Sequence, residues 1–466
     1  MTDLEQAVQA VESGLRPAVH IAGRPQQQIT LNERMARYNV PGFSIALIER
    51  GEVAWARGYG VLEAGNDEPV TGETLFQAAS ISKPVTAMAA LHLVEAGTLD
   101  LDADVNEALR SWQVPENEHT REHKVTLRGL LSHTAGLTVS GFRGYAADKN
   151  VPTVQQVLDG EPPANTDPVR VMQEPGGEFS YSGGGYTVVQ QLLEDVTGRP
   201  FTDLLQELVL DKLGMTHSTF EQPLPKSCAA RAATAHWTSG EPVPGKWHTY
   251  PELAAAGLWS TPSDLARFVI GVPKSYAGES NAVLSVEMTR QMLTPPAGGW
   301  PGYGLGFGLA EMDGWTRFDH PGWNEGYHSF MGGYIGTGRG VVWMDNGESG
   351  KLLGQEVMRG LASVYGWPGF ESAEKAIAQV DTAIYAQYVG QYRSADYPAF
   401  GAVIDQEGDR LFWQDVPVGM RSEMYPGSDA AFFILEQAGD ITFARNAKGN
   451  VEAVMFGKDW RLERAS

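Results

Sequence analysis

The sequence predicts an α+β fold followed by a small all-β domain, and three observations support this. Near the N-terminus two apolar runs, 42–48 and 53–60, flank a short polar stretch, which is typical of an antiparallel hairpin. Residues 99–258 are predicted to be mostly helices and loops. After residue 385, short strands and turns recur every ~8–12 residues, which indicates a barrel or a sandwich. Further strands of one sheet are predicted at 303–309, 326–331 and 340–344.

Chain length and a change in composition suggest the domain boundaries. The 466 residues suffice for two or three domains, since a domain averages ~150 residues. The composition shifts near Trp367, in a Trp-Pro-Gly-Phe stretch. We therefore predict one domain at 1–367 that includes the helical lobe at 99–258, a helical linker at 368–384, and an all-β domain at 385–466.

The charge balance argues against several kinds of partner. With 35 basic and 57 acidic residues the net charge is −22, which opposes binding to nucleic acid or to an anionic membrane surface. No run approaches the ~18 apolar residues of a membrane span. The first residues lack the basic and apolar regions of a signal peptide, and the single cysteine, Cys228, allows no intrachain disulfide. These observations predict a cytoplasmic protein with no membrane partner.

A Ser-x-x-Lys motif stands at the start of a predicted helix. Ser80 and Lys83 are followed by apolar residues at helical spacing, and Pro84 falls in the first turn, where its missing N–H removes no intrahelical bond. Residues three apart share a helix face, so the Lys83 ammonium is expected near the Ser80 hydroxyl. Backbone N–H groups and the positive end of the helix dipole also lie at this end. The motif therefore predicts a nucleophile that attacks a carbonyl group.

An acyl-transfer site also needs a base and donors for an oxyanion. The chain has no Gly-x-Ser-x-Gly motif, which argues against an α/β-hydrolase site. Tyr181 is a candidate second base, but a phenol with a pKa of ~10 needs a nearby cation such as Lys83 to ionise at neutral pH. A polar segment that includes His320 leads into a predicted strand. The backbone N–H groups of Ser80 and Trp323 are candidates for the oxyanion hole.

The order of these motifs along the chain carries a family resemblance. The chain resembles the serine β-lactamase-like and penicillin-binding-protein-like family, and in particular the branch that holds class C β-lactamases, D-amino-acid-specific peptidases and amidases, and related esterases. The likeness spans about residues 31–364. The motifs that carry it are Ser80-x-x-Lys83, Tyr181-x-x and His320-x-Gly322, with agreeing flanks at 40–42, 130–137, 196–201 and 257–262.

The resemblance implies a fold, a mechanism and residue roles. The fold would be an antiparallel sheet flanked by helices beside a mostly helical lobe, with the site between them. Ser80 would be the nucleophile, and Lys83 and Tyr181 would handle protons in a reaction that runs through an acyl-enzyme without a metal or cofactor. The C-terminal domain resembles the lipocalin-like barrels appended to some relatives. The resemblance leaves open whether this domain caps the site, restricts substrate length or mediates homo-oligomerisation.

Two positions depart from the family pattern. The tyrosine motif usually ends in an asparagine that contacts the substrate amide, and here Gly183 stands in its place. The third motif is often Lys-Thr-Gly, and here it is His320-Pro321-Gly322. Histidine is largely neutral near pH 7, so it holds a substrate carboxylate less well than lysine does. We therefore hypothesise a serine hydrolase for ester or amide bonds in small molecules or short peptides, with weak β-lactamase activity at most.

Alternatives to this function stay open at this point. A D-amino-acid-specific peptidase or an acyltransferase is the nearest, and a non-catalytic ligand-binding or sensor protein is the alternative from another class. A further hypothesis concerns the proton on His320: a protonated imidazole would help to hold Tyr181 as a phenolate, and activity would then fall as His320 loses its proton.

The remaining candidate residues rest on position alone. His133 lies in a helix-to-turn segment and is interpreted as structural. His119 and His123 stand beside glutamates, which indicates a solvated charged face and not a metal site. The candidates for substrate contacts are Gly183, Gly322, Asn324, Glu325 and His328.

Overall fold

The computed structural model describes residues 3–297, 299–395, 400–416, 419–457 and 460–465. Contacts within the chain divide it into two units, one of residues Val40–Gly350 and one that combines Met1–Asn39 with Lys351–Ser466. The domain predicted at 1–367 therefore differs from the observed unit at both ends. Within the described ranges, none of the helices combines the length and apolar character that crossing a bilayer requires.

The N-terminal segment contributes two helices and a short strand: α1 (Asp3–Glu12), β1 (Val19–Ile21) and α2 (Leu31–Arg37). Thr30 begins α2 in a capping box, because its hydroxyl accepts the Glu33 N–H while the Glu33 carboxylate accepts the Thr30 N–H. Just after α2, the Tyr38 hydroxyl donates a hydrogen bond of 2.7 Å to buried Glu356. This bond links the segment to the later residues of its own unit.

The unit of residues 40–350 is built on an antiparallel sheet. The predicted hairpin is confirmed as β2 (Gly42–Glu49) and β3 (Glu52–Gly60), joined by a turn in which Arg50 and Gly51 both have positive φ. The later strands are β4 (Phe76–Gln77), β5 (Trp259–Ser260), β6 (Gly308–Met312), β7 (Trp315–Asn324), β8 (Tyr327–Tyr334) and β9 (Arg339–Asp345). Among the described residues, six of these strands form the main sheet in the order β3-β2-β9-β8-β7-β6, while β4 pairs with β5.

The stretch between β3 and β6 consists mainly of helices and loops, and it includes residues 99–258, for which helices and loops are predicted. Two of its longer helices begin at a residue whose side chain accepts a backbone N–H: Ser182 caps the helix that follows it, and Thr261 caps another whose first residue is Pro262. The helices are α3 (Ser82–Glu95), α4 (Leu127–Leu131), α5 (Val154–Asp159), α6 (Gly183–Thr197), α7 (Phe201–Leu205), α8 (Lys226–Ala229), α9 (Leu253–Ala256), α10 (Pro262–Ala277) and α11 (Val286–Met292).

Helix α3 is the central helix of this unit. Its residues 82–91 are all buried, and its sequence is apolar on every side, as a helix inside a core must be. Its neighbours include α6, α9 and α11. Because α3 is enclosed in this way, Lys83 in its first turn is 2% exposed. This burial lowers the pKa of the Lys83 amine.

The C-terminal part of the unit that combines Met1–Asn39 with Lys351–Ser466 begins with α12 (Gly350–Tyr365), whose first residue belongs to the unit of residues 40–350. The predicted helical linker at 368–384 is wrong. Residues Ala373–Lys375 form strand β10, which pairs in parallel with β1, and only a 3-10 turn at Thr382–Gln387 is helical. Good helix-forming residues adopt a strand here because β1 offers a hydrogen-bonding edge, and such tertiary pairing overrides local propensity.

The predicted all-β domain is confirmed as a closed barrel. Among the described residues its eight strands are all antiparallel and neighbours in chain order, and the first pairs with the last. Aromatic and aliphatic side chains, including Tyr392, Trp413 and Phe432, fill its core. The strands are β11 (Gly390–Arg393), β12 (Gly401–Glu407), β13 (Arg410–Val416), β14 (Arg421–Pro426), β15 (Ala431–Phe433), β16 (Asp440–Arg445), β17 (Val451–Phe456) and β18 (Trp460–Arg464).

Candidate active site

Ser80 lies in a 3-10 turn, Ala79–Ile81, that leads directly into α3. The residue before it, Ala79, has a φ of +52°, a left-handed conformation that a residue with a Cβ adopts at a cost. Ser82 stabilises this turn, because its hydroxyl donates to the Ala79 carbonyl at 2.6 Å and accepts the Leu258 N–H at 2.9 Å. The turn therefore presents Ser80, which is half-buried, from a rigid support.

The Lys83 amine lies within hydrogen-bonding distance of the Ser80 hydroxyl, as the helical spacing predicts. Nζ donates to Ser80 Oγ at 3.0 Å and to the Ala255 carbonyl of α9 at 2.8 Å. Burial lowers the pKa of Lys83 to about 7, because the charged ammonium is poorly solvated there. A large fraction of the amine is therefore neutral at physiological pH, and a neutral amine can accept the Ser80 proton.

Tyr181 meets the Ser80–Lys83 pair from the segment that precedes α6. Its phenol is near enough to the Ser80 side chain to interact with it, and Lys83 Nζ lies 5.0 Å from the centre of its ring. Burial raises the pKa of Tyr181, and this outweighs the opposite effect of the interaction with Ser80. The phenol is therefore neutral at physiological pH and suited to donate a proton.

His320 is buried, and both of its ring nitrogens are engaged inside the protein. Nδ1 lies 2.6 Å from the Pro321 carbonyl and must carry the proton, so Nε2 accepts the hydrogen bond from the Tyr303 hydroxyl at 3.2 Å. Burial, and secondarily the charge of Lys83, lowers the pKa of His320 to about 3. The hypothesis that a protonated His320 holds Tyr181 as a phenolate is therefore wrong at neutral pH.

Strand β7 runs past the turn that carries Ser80. A Cβ on Gly322 would overlap the Ala78 carbonyl oxygen and the Ser329 hydroxyl, so glycine permits this close approach. Strand β6 pairs with β7 only from Trp315 to Asp319 within the described ranges, and the remainder of β7 extends beyond it. The polar segment around His320, predicted to lead into a strand, is itself part of β7.

The other predicted contact residues on or near β7 have partners within the protein. Asn324 is 1% exposed, and its Nδ2 donates to Gln77 Oε1 at 2.7 Å and to the Ala256 carbonyl at 3.1 Å. Trp323 is 58% exposed, and its indole N–H donates to Glu348 at 2.9 Å. His328 lies beside it, with parallel rings 6.3 Å apart. Asn324 therefore supports the strand, whereas Trp323 forms an exposed aromatic surface.

Gly183 and Glu325 lie in different surroundings. Gly183 is the first residue of α6, and a Cβ there would lie 2.9 Å from a ring carbon of Phe142. The Phe142 ring therefore occupies space next to the third position of the tyrosine motif. Glu325 is half-buried, and its backbone N–H donates to the Tyr250 hydroxyl at 3.0 Å.

Two residues near the site were not assigned to it from the sequence. Tyr303, in a segment predicted as a strand, binds His320. His133, interpreted as structural, lies 4.3 Å from Tyr181 between ring centres. Both reach the site from distant segments, so spacing along the chain could not reveal them. His123 of the predicted solvated face is exposed beside Glu174, with Glu122 close by, an arrangement common on acidic surfaces.

Glu252 carries a buried carboxyl group and directly precedes α9, the helix whose Ala255 carbonyl accepts the Lys83 hydrogen bond. It is fully buried, and among the described residues neither carboxyl oxygen has a partner beyond its own backbone amide. Burial raises the pKa of Glu252 from 4.5 to about 8. The folded protein therefore retains a proton that the unfolded chain loses, and this group's contribution to stability declines as the pH rises from about 4.5 to about 8.

Glu252→Gln is expected to stabilise the protein more and more as the pH rises from about 4.5 to about 8, so the gain should be larger at pH 9 than at pH 6. Glutamine keeps the shape and removes the charge, and the gain should be on the order of 3 kcal/mol larger above pH 8 than at pH 6. Thermal midpoints of the variant and the parent, measured at pH 6 and pH 9, check this. A difference in midpoint that is the same at both pH values would contradict it.

The fold and the site together define a class. A serine and a buried lysine one helical turn apart, beside an antiparallel sheet and a helical lobe, are the features of β-lactamase-like and penicillin-binding-protein-like serine hydrolases. The model of the Beta-lactamase family matches residues 29–362, and the chain belongs to that family. The family resemblance and the fold class predicted from the sequence are thus confirmed.

Similar proteins of known sequence include two penicillin-binding proteins. Penicillin-binding protein 4 of Amycolatopsis lactamdurans is 28% identical over 324 residues, which cover 66% of this chain and 82% of that protein. Penicillin-binding protein 4* of Bacillus subtilis is 24% identical over 438 residues, or 89% of this chain and 92% of that protein. Because the second match covers 89% of this chain, it must extend past residue 362, where the match to the family model ends, and include part of the C-terminal residues.

Similar solved structures show the same fold. The octameric penicillin-binding protein homologue from Pyrococcus abyssi has a TM-score of 0.63 at 22% identity, and the match covers 93% of this chain and 98% of that one. D-amino acid amidase from Ochrobactrum anthropi, complexed with L-phenylalanine amide, has a TM-score of 0.59 at 25% identity, over 78% of this chain and 99% of that one.

Proposed function

We propose that the protein is a serine hydrolase that cleaves ester or amide bonds of small molecules or short peptides through an acyl-enzyme. The observation that carries the proposal is the hydrogen bond of 3.0 Å between Lys83 Nζ and Ser80 Oγ in a buried setting. Burial lowers the pKa of Lys83 to about 7, so this amine is suited to act as a general base at neutral pH. Membership of the Beta-lactamase family and the likeness to an amidase support the same chemistry.

In the proposed mechanism, neutral Lys83 takes the proton of Ser80 as Oγ attacks the substrate carbonyl carbon. The N–H groups of Ser80 and Trp323 receive the oxyanion of the tetrahedral intermediate. Tyr181, a neutral phenol, passes a proton to the leaving oxygen or nitrogen and regains one from Lys83. Water then attacks the acyl carbon while Lys83 accepts a proton from it, the bond between that carbon and Ser80 Oγ breaks, and Lys83 returns the proton to Oγ as the acid leaves.

The surroundings of His320 narrow the proposed substrate class. Both ring nitrogens are engaged and the ring is neutral, so this position provides no positive charge for a substrate carboxylate. We therefore infer that esters and amides are better substrates than β-lactams, which carry a carboxylate. A panel of esters, D-peptides, amides and β-lactams tests this, and a cephalosporin as the best substrate would contradict it. A clear preference for D-peptides would favour the peptidase alternative.

The pH dependence of kcat/KM should follow Lys83. Activity is expected to rise as the pH increases through about 7, because the general base must be neutral and the pKa of Lys83 is about 7. His320 should add no step in this range, since its pKa is about 3. A pH–rate profile between pH 5 and 9 checks both statements. A fall in activity over the same interval would mean that Lys83 acts as an ammonium.

Covalent labelling tests the nucleophile directly. A fluorophosphonate probe reacts with an activated serine, so intact mass should show one adduct, and peptide mapping should place it on Ser80. No adduct, together with tight binding of an unmodified ligand, would favour the non-catalytic alternative. An adduct on another serine would show that Ser80 is not the nucleophile, while the protein would still be a serine hydrolase.

A further inference from the structure

His133 holds the backbone on both sides of Tyr181. The Ser180 N–H donates to the His133 carbonyl at 2.8 Å, and the Ser182 N–H donates to His133 Nδ1 at 3.1 Å. These two amides flank Tyr181 directly along the chain. A single residue therefore fixes the peptide groups from which the phenol extends.

The imidazole ring also packs against the phenol. The ring centres of His133 and Tyr181 are 4.3 Å apart, with their planes inclined by 40°. His133 is 2% exposed, so the contact is made in the interior. Side chain and backbone contacts thus act on the same residue, and together they restrict the direction of the Tyr181 hydroxyl toward Ser80.

The hydrogen bond from Ser182 fixes the tautomer of His133. Nδ1 must be unprotonated to accept it, so the ring proton is on Nε2. Within the described ranges Nε2 has no hydrogen-bond partner, and the ring centres of Tyr186 and Tyr303 lie 5.4 and 5.0 Å from the centre of the imidazole ring. Burial, followed by the charge of Lys83, lowers the pKa of His133, which keeps Nδ1 available as an acceptor.

The segment around His133 is rigid enough to act as a support. His133 has a φ of +59°, in the left-handed region, and it follows Ser132, the C-cap residue of the short helix α4. The Thr134 and Ala135 N–H groups both donate to the Gly129 carbonyl, at 2.9 and 3.1 Å. The Ser132 hydroxyl also lies 2.9 Å from that of Thr134. A strained conformation persists where several bonds determine it together.

We propose that His133 is a positioning residue that aims the Tyr181 hydroxyl at Ser80, chiefly through the acceptor Nδ1. The proposal rests on the role of Tyr181 in the proposed function. We assign His133 no proton transfer, because Nδ1 is occupied by the Ser182 N–H and Nε2 has no hydrogen-bond partner in the described part of the chain. Loss of the acceptor would leave the Ser182 N–H unpaired in the interior and release Tyr181 from its orientation.

Two substitutions of His133 separate the effect of its hydrogen bond with the Ser182 N–H from the effect of its imidazole ring. His133→Asn places an amide oxygen near the Nδ1 position and tolerates a positive φ, so kcat should stay within about tenfold of the parent. His133→Gln moves the acceptor one carbon further away, and kcat should fall by about 100-fold, because misplacement of a catalytic group by ~1 Å has such an effect. KM should change little in either variant. Equal kcat in the two variants would overturn the proposal.

A double-mutant cycle of His133 and Tyr181 tests whether His133 acts through the Tyr181 hydroxyl or only supports the fold in general. Tyr181→Phe keeps the aromatic ring and removes the hydroxyl, so His133→Gln should cost almost nothing further in that background. The same 100-fold loss in both backgrounds would overturn the proposal. If Tyr181→Phe alone keeps full activity while Ser80 still reacts with the fluorophosphonate probe, the role proposed for Tyr181 is wrong. This outcome differs from those that would overturn the role of His133. Should His133→Gln not fold, His133→Asn is sufficient, since a 100-fold loss with the acceptor kept contradicts the proposal.

Discussion

Replacing Ser80 with alanine is expected to abolish the fluorophosphonate adduct and to lower kcat/KM by about 10⁴- to 10⁶-fold, the range found when a nucleophile that works with its base is removed. The physical reason is that Lys83 then has no hydroxyl to deprotonate, while its bond of 2.8 Å to the Ala255 carbonyl remains. Ser80 is half-buried, so its loss should leave the fold intact. Intact mass, steady-state kinetics and a thermal midpoint together measure the three parts of this expectation.

Ser285→Ala is the matched control. Ser285 also stands at a helix N-terminus, where its hydroxyl accepts the Met288 N–H at 3.2 Å and caps α11. Its removal should cost about 1 kcal/mol of stability and leave the adduct and kcat unchanged. A Ser80→Ala protein that still labels, or an equal loss of activity in the two variants, would refute the assigned nucleophile.

Replacing Gly322 with alanine should lower kcat by about 10²- to 10³-fold, the loss that follows removal of one oxyanion donor. The added Cβ would overlap the Ala78 carbonyl oxygen and the Ser329 hydroxyl, so β7 has to move away from the turn that carries Ser80. The Trp323 N–H moves with the strand. Because the displacement acts mainly on the transition state, KM should change less than kcat.

Gly141→Ala is the matched control for this substitution. Gly141 lies in a loop of the same unit, and a Cβ there would have open space around it. This variant should keep parental kcat and KM. Parental kinetics in Gly322→Ala as well would show that the close approach of β7 does not determine the geometry of the oxyanion hole.

The local part of the site could be predicted from the sequence. Ser80 and Lys83 lie three apart on a helix, and this spacing alone places the amine near the hydroxyl, as the distance of 3.0 Å shows. The hairpin of β2 and β3 was predictable for the same reason, since both depend on neighbours in the chain.

Long-range pairing was not predictable in the same way. The stretch after residue 368 has good helix formers, and it forms β10 because β1, more than 350 positions earlier in the chain, supplies an edge. The assignment of Met1–Asn39 to the same unit as Lys351–Ser466 likewise depends on contacts between the chain ends.

The sequence by itself determined the family, the fold class and the presence of a serine, a lysine and a phenol suited to acyl transfer. Only the tertiary structure decided how protons are distributed among them. Burial lowers the pKa of Lys83 and of His320 and raises that of Tyr181, so the amine is suited to be the base and the phenol the acid. The physical reason is that desolvation depends on what surrounds a group in space, and most of those surroundings come from distant parts of the chain.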